Sequence, residues 1–386
     1  MKKAKLLFMI GILTVAMVVG CSKDGENAGA GTVSGDLEVI DLTGGAGSAD
    51  ANNGTQTPVE EEEEVREGMY RSELTNEWID EELENQRPVA IMVDNELTAL
   101  DHYGLNDADI VYELVNSTAN GYVTRLMVVV KDWENIERLG SIRSARPTNF
   151  MVAAEYNAIL IHDGGPVYIN SFVAQPYTNN LSGGFARFSN GKATEFTEYV
   201  TSEAYTNPNT GSTYSGLIKR IEDAGYSTEY TSLYDGPHFD FSNSEYNLSD
   251  SYSNATSATS ITLPFTHNGS NLQYNEDTKT YDYYEYNMAH IDPMDDNNIL
   301  TFKNVIIENA EVAQIDQNGY MLYVIKDASG DGYYITNGEC IPITWSKKGE
   351  DGITEYCDLN GNPIKLNTGK TYIAYSPTNH GELTIE

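Results

Sequence analysis

The chain has 386 residues, with 23 Lys+Arg against 58 Asp+Glu and a formal net charge of −35. That balance excludes nucleic acid as a partner, because binding a phosphate backbone needs a basic surface. It also makes the surface as a whole a poor match for anionic lipid headgroups, while leaving room for a small basic pocket inside an acidic shell.

In chain order, Lys2, Lys3 and Lys5 precede an apolar run over residues 6–19 that ends Val18-Val19-Gly20-Cys21. A short positive stretch followed by an apolar core too short for a comfortable span predicts a signal peptide over residues 1–20. Small residues before a cysteine resemble the lipobox of bacterial lipoproteins. That resemblance implies cleavage before Cys21 and a diacyl, palmitate-type anchor on it, and two acyl chains suffice for stable attachment. An ordinary signal peptide with an incidental cysteine is the alternative. Residues 21–68 then read as lipid anchor and disordered acidic linker. They are rich in Gly, Ala, Ser, Thr, Asn and acids, and the run Glu60 to Glu64 repels itself.

The folded part is expected to be α+β, with an N-terminal α/β domain (69–228) carrying a mixed sheet, an inter-domain segment (229–253) and a mainly β domain (254–386). A short acidic helix is predicted over 78–86. Buried strands are predicted over 89–93, 110–114, 122–130 and 158–162, from continuous apolar runs rich in Val and Ile. Residues 138–143 read as the antiparallel neighbour of 122–130. Pro147 opens a helix to Glu155, and a second helix covers 214–223 with Gly225 past its end. Beyond residue 255 short strands alternate with the turns Asn318-Gly319, Asp331-Gly332, Asn337-Gly338 and Asn360-Gly361. Alternation puts Tyr281 and Tyr283 on one strand face and Tyr284 and Tyr286 on the other. Cys340 and Cys357 are either a disulfide, which an exported location permits, or two thiols.

Several blocks resemble the YerB lipoprotein family: Arg87-Pro88-Val89-Ala90-Ile91-Met92-Val93-Asp94-Asn95, Gly104 to Glu113, Gly140 to Pro147, His162-Asp163-Gly164-Gly165, His290-Ile291-Asp292, Thr344 to Lys348 and Leu366 to Thr371. The likeness spans about residues 87–380 and implies the two-domain architecture and the envelope location; the family's activity is unsettled. One block departs: where the family shows Pro-His-Asn, this chain has Asn207-Pro208-Asn209-Thr210. A distant likeness over two strands, 124–130 and 141–143, is to LytR-CpsA-Psr proteins, which hold polyprenyl phosphates with arginines.

The candidate site gathers Arg125, Arg143, Arg146, Asp94, Asn95, Glu113 and His162, each at or near the end of an apolar strand. Strand ends in α/β sheets converge on a crevice where ligands bind, and guanidinium forks recognise phosphate or carboxylate. Antiparallel pairing of 89–93 with 126–130 brings Asp94 and Arg125 to one edge, but the expected pairing of 138–143 puts Arg143 at the opposite edge. The competing reading makes the arginines structural partners of Asp94, Glu113 or Glu155. No metal and no cofactor is expected: His162-Asp163 is too small a set, His290 and Asp292 fall in the other domain, and Asp327 to Gly332 copies only the start of an EF-hand loop. There is no Ser-His-Asp order, P-loop or Rossmann glycine pattern.

The expected function is that of a binding or regulatory lipoprotein on the outer face of the cytoplasmic membrane. Its expected partners are the membrane, through the lipid on Cys21, and cell-wall synthesis proteins or cell-wall polymer. An enzyme or carrier acting on a lipid-linked phosphate in the arginine crevice is the alternative, so whether a reaction is catalysed stays open. A solute-binding protein lacks support, because no two-lobe repeat is visible. Cys21→Ala is expected to release the protein from membranes or leave unprocessed precursor; a variant still processed and membrane-bound by fractionation contradicts the anchor.

Overall fold

The apolar runs form the strands of one large sheet. The computed structural model describes residues 65–386; the signal peptide, Cys21 and the linker up to residue 64 lie outside the described residues. In chain order the strands of this sheet are β1 (Val89–Asp94), β2 (Ile110–Val115), β3 (Thr124–Val130), β4 (Ile159–His162), β5 (Asn179–Ser182), β6 (Thr256–Ser257), β7 (Asn304–Ala310), β8 (Ala328–Thr336), β9 (Glu339–Lys347), β10 (Glu355–Asp358) and β11 (Thr371–Pro377). Their spatial order is β6-β9-β8-β7-β11-β2-β3-β1-β4-β5, with β10 also paired to β9. β11 runs parallel to both β7 and β2, and β4 runs parallel to both β1 and β5. The remaining pairs are antiparallel, so the sheet is mixed. β1, β2, β3 and β11 are buried along their whole length, as unbroken apolar strands require.

Because β11 lies between β7 and β2, the segments on either side of residues 229–253 complete one sheet. A second, six-stranded sheet is built from Ser260–Thr262, Asn271–Asn275, Thr280–Glu285, Met288–Ala289, Thr301–Phe302 and Thr384–Ile385. The expected alternation holds along Thr280–Glu285: Tyr281, Tyr283 and Glu285 point into the interior, and Asp282 and Tyr284 are half-buried.

The architecture is largely β or α+β: the mixed sheet is present as expected, and the helices are few. Helix α1 (Pro147–Glu155) starts at its proline as expected, and α2 (Leu217–Ala224) ends at Gly225 in the left-handed region, φ 67°. The predicted helix at 78–86 is instead a strand, Trp78–Asp80, paired with Met69–Arg71, followed by a single 3₁₀ turn capped by the Asp80 side chain. Three residues of acidic helix cannot offset the cost of nucleation, and the strand pairing wins. Residues 138–143 do not pair with β3. Leu139–Gly140 pairs with Glu198–Val200, and Ile142 bridges Val93 at the end of β1.

Asn337-Gly338 forms the expected two-residue hairpin between β8 and β9, but Asp331-Gly332 lies inside β8. A Cβ on Gly332 would sit 2.1 Å from the Ile307 carbonyl oxygen, so this glycine permits close strand approach rather than a turn. Cys340 and Cys357 are free. Cys357 faces Thr344, four residues along β9 from Cys340, a separation of about 13 Å at strand rise, beyond the reach of a disulfide of about 7 Å.

One interior carboxyl sets a pH dependence. Glu308 on β7 is fully buried, accepts from the Tyr356 hydroxyl at 2.6 Å, and has Glu155, Lys347 and Tyr375 around it. Burial pushes its pKa from 4.5 up to about 8. The folded state thus keeps a proton that the unfolded chain has released, so the contribution is intact below the unfolded value and is lost as pH rises toward the folded one. Between pH 5 and 8, wild type is expected to lose a few kcal/mol of urea stability relative to Glu308→Gln; equal losses in the two proteins contradict a neutral Glu308.

Candidate functional site

The site is built around the C-terminal end of β1. Asp94 is the strand's last residue and faces Arg125 across the antiparallel pair with β3. On its other side β4 keeps register with β1 only as far as Ile91. Residues 141–143 take up the place beyond: the Asp94 amide donates to Ser141 O, and the Arg143 amide to Met92 O, both at 2.9 Å. Arg143 is therefore delivered to Asp94 from the side opposite Arg125. Both guanidiniums reach the one carboxylate, Arg125 Nη1 to Oδ1 at 2.9 Å and Arg143 Nε to Oδ2 at 2.6 Å. The convergence expected of these residues occurs, by pairing with β1 and not with β3.

Arg146 caps α1 three residues beyond Arg143. Its Nε donates to Asn116 O at 3.2 Å, and its Nη1 to Ser144 Oγ at 3.2 Å and Ala145 O at 2.9 Å. The guanidinium stacks 4.6 Å from the Tyr320 ring centre. Among the described residues no carboxylate pairs with it. Burial, then the positive charge of Arg125, pulls its pKa down to about 10. Burial also lowers Arg125, against the pull of Asp94. For Arg143 burial acts downward, but Asp94 and Glu195 outweigh it and raise the pKa. Glu195, half exposed, meets Arg143 Nη2 at 2.7 Å. Arg125 and Arg143 thus share one buried carboxylate, Arg143 also meets a solvent-facing one, and Arg146 is bonded to neutral acceptors.

The other expected site residues are placed elsewhere. Glu113, at 0 % exposure, touches no arginine. Its carboxylate accepts from Asn95 Nδ2 (3.3 Å), Thr124 Oγ1 (2.8 Å), Asn268 Nδ2 (2.8 Å), Tyr283 OH (2.9 Å) and Tyr372 OH (2.5 Å). Burial raises its pKa against those donors. Asn95 is thus a partner of Glu113 and Thr124. His162 is used locally, by Gly164 O at 2.8 Å and Asn180 Oδ1 at 3.2 Å. Glu155, a proposed arginine partner, instead pairs with the buried Lys347 at 2.8 Å and lies beside His238. Asp292 accepts the backbone amides of Gly104 and Asn106, both at 2.9 Å, pinning that turn.

One grouping is absent from the sequence reading. His102, Glu285 and His290, all buried, bring their potential ligand atoms within 4.8 Å of one another. His102 Nε2 meets the carbonyl oxygen of Asp94 at 2.5 Å, so this group adjoins the arginine cluster. A signal was available for Glu285: alternation from Tyr281 and Tyr283 puts this carboxylate at a core position. None was available for His102, a lone histidine in a loop.

The fold and site define a class: a two-segment, mixed-sheet protein with an arginine–carboxylate cluster where the central strands end. The chain belongs to the two-domain family called "Protein of unknown function (DUF3048)": residues 74–227 match its N-terminal domain and residues 261–373 its C-terminal domain. A Bacillus subtilis (strain 168) relative named "Putative lipoprotein YerB" is 24% identical over 307 residues, 78% of this chain and 82% of that protein. The crystal structure of YerB protein from Bacillus subtilis aligns with a TM-score of 0.65 and 18% identity, covering 82% of this chain and 99% of the other, a likeness of fold. Among the described residues no helix is long and apolar enough to cross a membrane.

Removing Asp94 leaves buried Arg125 without its paired carboxylate and Arg143 with half-exposed Glu195 alone. Asp94→Ala is expected to lower urea stability by about 3–5 kcal/mol, the range for breaking a buried pair; a loss under about 1 kcal/mol, typical of exposed pairs, means that solvent already screens the cluster.

Proposed function

We propose that the chain is a lipoprotein anchored through Cys21 on the outer face of the cytoplasmic membrane, where it is a binding or regulatory factor that takes an anionic group of the cell envelope at Arg143 and Arg146. The carrying observation is Arg146: a desolvated guanidinium held by neutral acceptors alone, next to two more arginines that share one buried carboxylate. An anion arriving there meets a guanidinium with no carboxylate bonded to it, Asp316 acting on it only from a distance, and at low dielectric such a contact is strong. Arg143 is a quarter exposed along its side chain and lies beside half-buried Ser144, so this stretch is the accessible lip of the cluster. The relative named as a lipoprotein and the Val18-Val19-Gly20-Cys21 sequence support the anchor.

The ligand chemistry is a phosphate ester, from wall polymer or from a polyprenyl carrier. Binding is favoured over reaction, because the groups bonded to Arg146 are Asn116, Ser144 and Ala145, with no histidine among them to serve as a general base. Calorimetry of the full chain with a phosphodiester wall polymer, and with a polyprenyl phosphate in detergent, tests the reading. Arg146→Gln is expected to weaken binding at least tenfold while keeping the wild-type Tm within a few degrees. Binding unchanged in Arg146→Gln, or absent from wild type with both probes, removes the proposal.

A further inference from the structure

The group His102, Glu285 and His290 contains an unmet demand. The Asp94 carbonyl oxygen can only accept, so the bond at 2.5 Å puts the proton of His102 on Nε2 and leaves a lone pair on Nδ1. The same logic applies to His290: Nδ1 meets Glu285 Oε1 at 2.9 Å and donates to it, leaving a lone pair on Nε2. Both remaining nitrogens, His102 Nδ1 and His290 Nε2, are buried and have no hydrogen-bond partner among the described residues. The rings lie 5.0 Å apart, centre to centre. Two orphaned lone pairs in one buried cluster, with a carboxylate beside them, need a shared electrophile.

We propose that His102, Glu285 and His290 are the protein ligands of a first-row divalent cation, zinc by the chemistry of the donors. Two neutral imidazoles and a carboxylate are a common three-ligand zinc set. Calcium and magnesium are disfavoured, since they take oxygen ligands. One potential ligand atom from each residue lies within 4.8 Å of the others, wider than the roughly 3.3 Å that bonds of about 2.0–2.1 Å set on a tetrahedral ion. Binding therefore draws the three side chains inward by rotation.

The surroundings match a bound ion. Asn268 Nδ2 donates to Glu285 Oε2 at 3.1 Å and orients the carboxylate, and the Asp94 carbonyl orients His102; such outer partners fix ligand geometry. A cavity of about 130 Å³, lined by Asp101, Glu285, Met288 and His290, adjoins the group and gives room for a water or ligand atom in the fourth position. This inference does not depend on anion binding at the arginines. The two sites meet only at Asp94, whose carboxylate serves one and whose carbonyl serves the other.

The test uses the full chain stripped with EDTA. Titration with Zn²⁺ is expected to give one ion per chain and a rise in Tm, and Co²⁺ to give visible bands of tetrahedral intensity. His102→Ala and His290→Ala are each expected to weaken binding at least 100-fold. Imidazole ¹H–¹⁵N spectra of wild type give a readout that needs no variant: the ring nitrogens of His102 and His290 are expected to shift on adding Zn²⁺. No Zn²⁺ binding overturns the proposal. So does binding that survives in both histidine variants, which assigns the ion to another site such as the Glu60 to Glu64 run, or imidazole signals unmoved by zinc.

Discussion

A single buried carboxylate without a cationic partner ties the molecule together. Glu113 is centred in the large sheet and takes five hydrogen bonds from neutral donors. Asn95 and Thr124 come from the N-terminal segment; Asn268, Tyr283 and Tyr372 come from the C-terminal one. A carboxyl buried without partners is very unfavourable, so the N-terminal segment alone would leave Glu113 with two donors out of five. The C-terminal segment completes the set, and its last long strand, β11, lies directly beside β2 to bring Tyr372 there. The continuous sheet and the polar network have the same cause: neither segment satisfies its own interior.

This arrangement shows what the sequence could reveal and what it could not. The stretches at 89–93, 110–114 and 122–130 announce central strands, since each is dominated by apolar residues rich in Val and Ile. The pairing of Asp94 with Arg125 follows from the opposite polarity of their runs. The side on which Arg143 arrives does not follow, because it depends on where β4 stops pairing with β1, and nothing local to residues 141–143 encodes that. Glu113 was legible only as a charge at a strand end. Its role as a hub depends on Tyr283 and Tyr372, 170 and 259 residues away in sequence. Asp331-Gly332 misleads for a related reason: glycine serves both tight turns and close backbone approach, and only the neighbouring strand distinguishes them.

Asp94 is the second constraint, and a more economical one. Its carboxylate gathers Arg125 and Arg143, and its carbonyl oxygen fixes the tautomer of His102. Movement of the chain at this residue alters both groups at once, since the carboxylate and the carbonyl belong to one backbone position at the end of a fully buried strand. The preceding residues of β1 are clamped between β3 and β4, so that position is held firmly. Rigid placement matters for both proposed ligands, because a guanidinium lip and a three-ligand ion site each depend on sub-ångström geometry.

The charge of the whole chain bears on how such a site can work. With a formal charge of −35, the long-range field repels an anionic polymer. At physiological salt that field decays over about 8 Å, so it governs approach and not contact. The anion recognition proposed at Arg143 and Arg146 would then come from short-range bonds made where water is excluded. Such bonds gain strength from burial, and Arg146 is held by two carbonyls, the Ser144 hydroxyl and the Tyr320 ring rather than by a carboxylate. A cluster serving stability alone would gain from a second buried acid beside Arg146. The cluster instead keeps that position neutral, while the acidic surplus of the chain is spent elsewhere on its surface, and this asymmetry is the physical ground for reading the arginine lip as a place where a negative group binds.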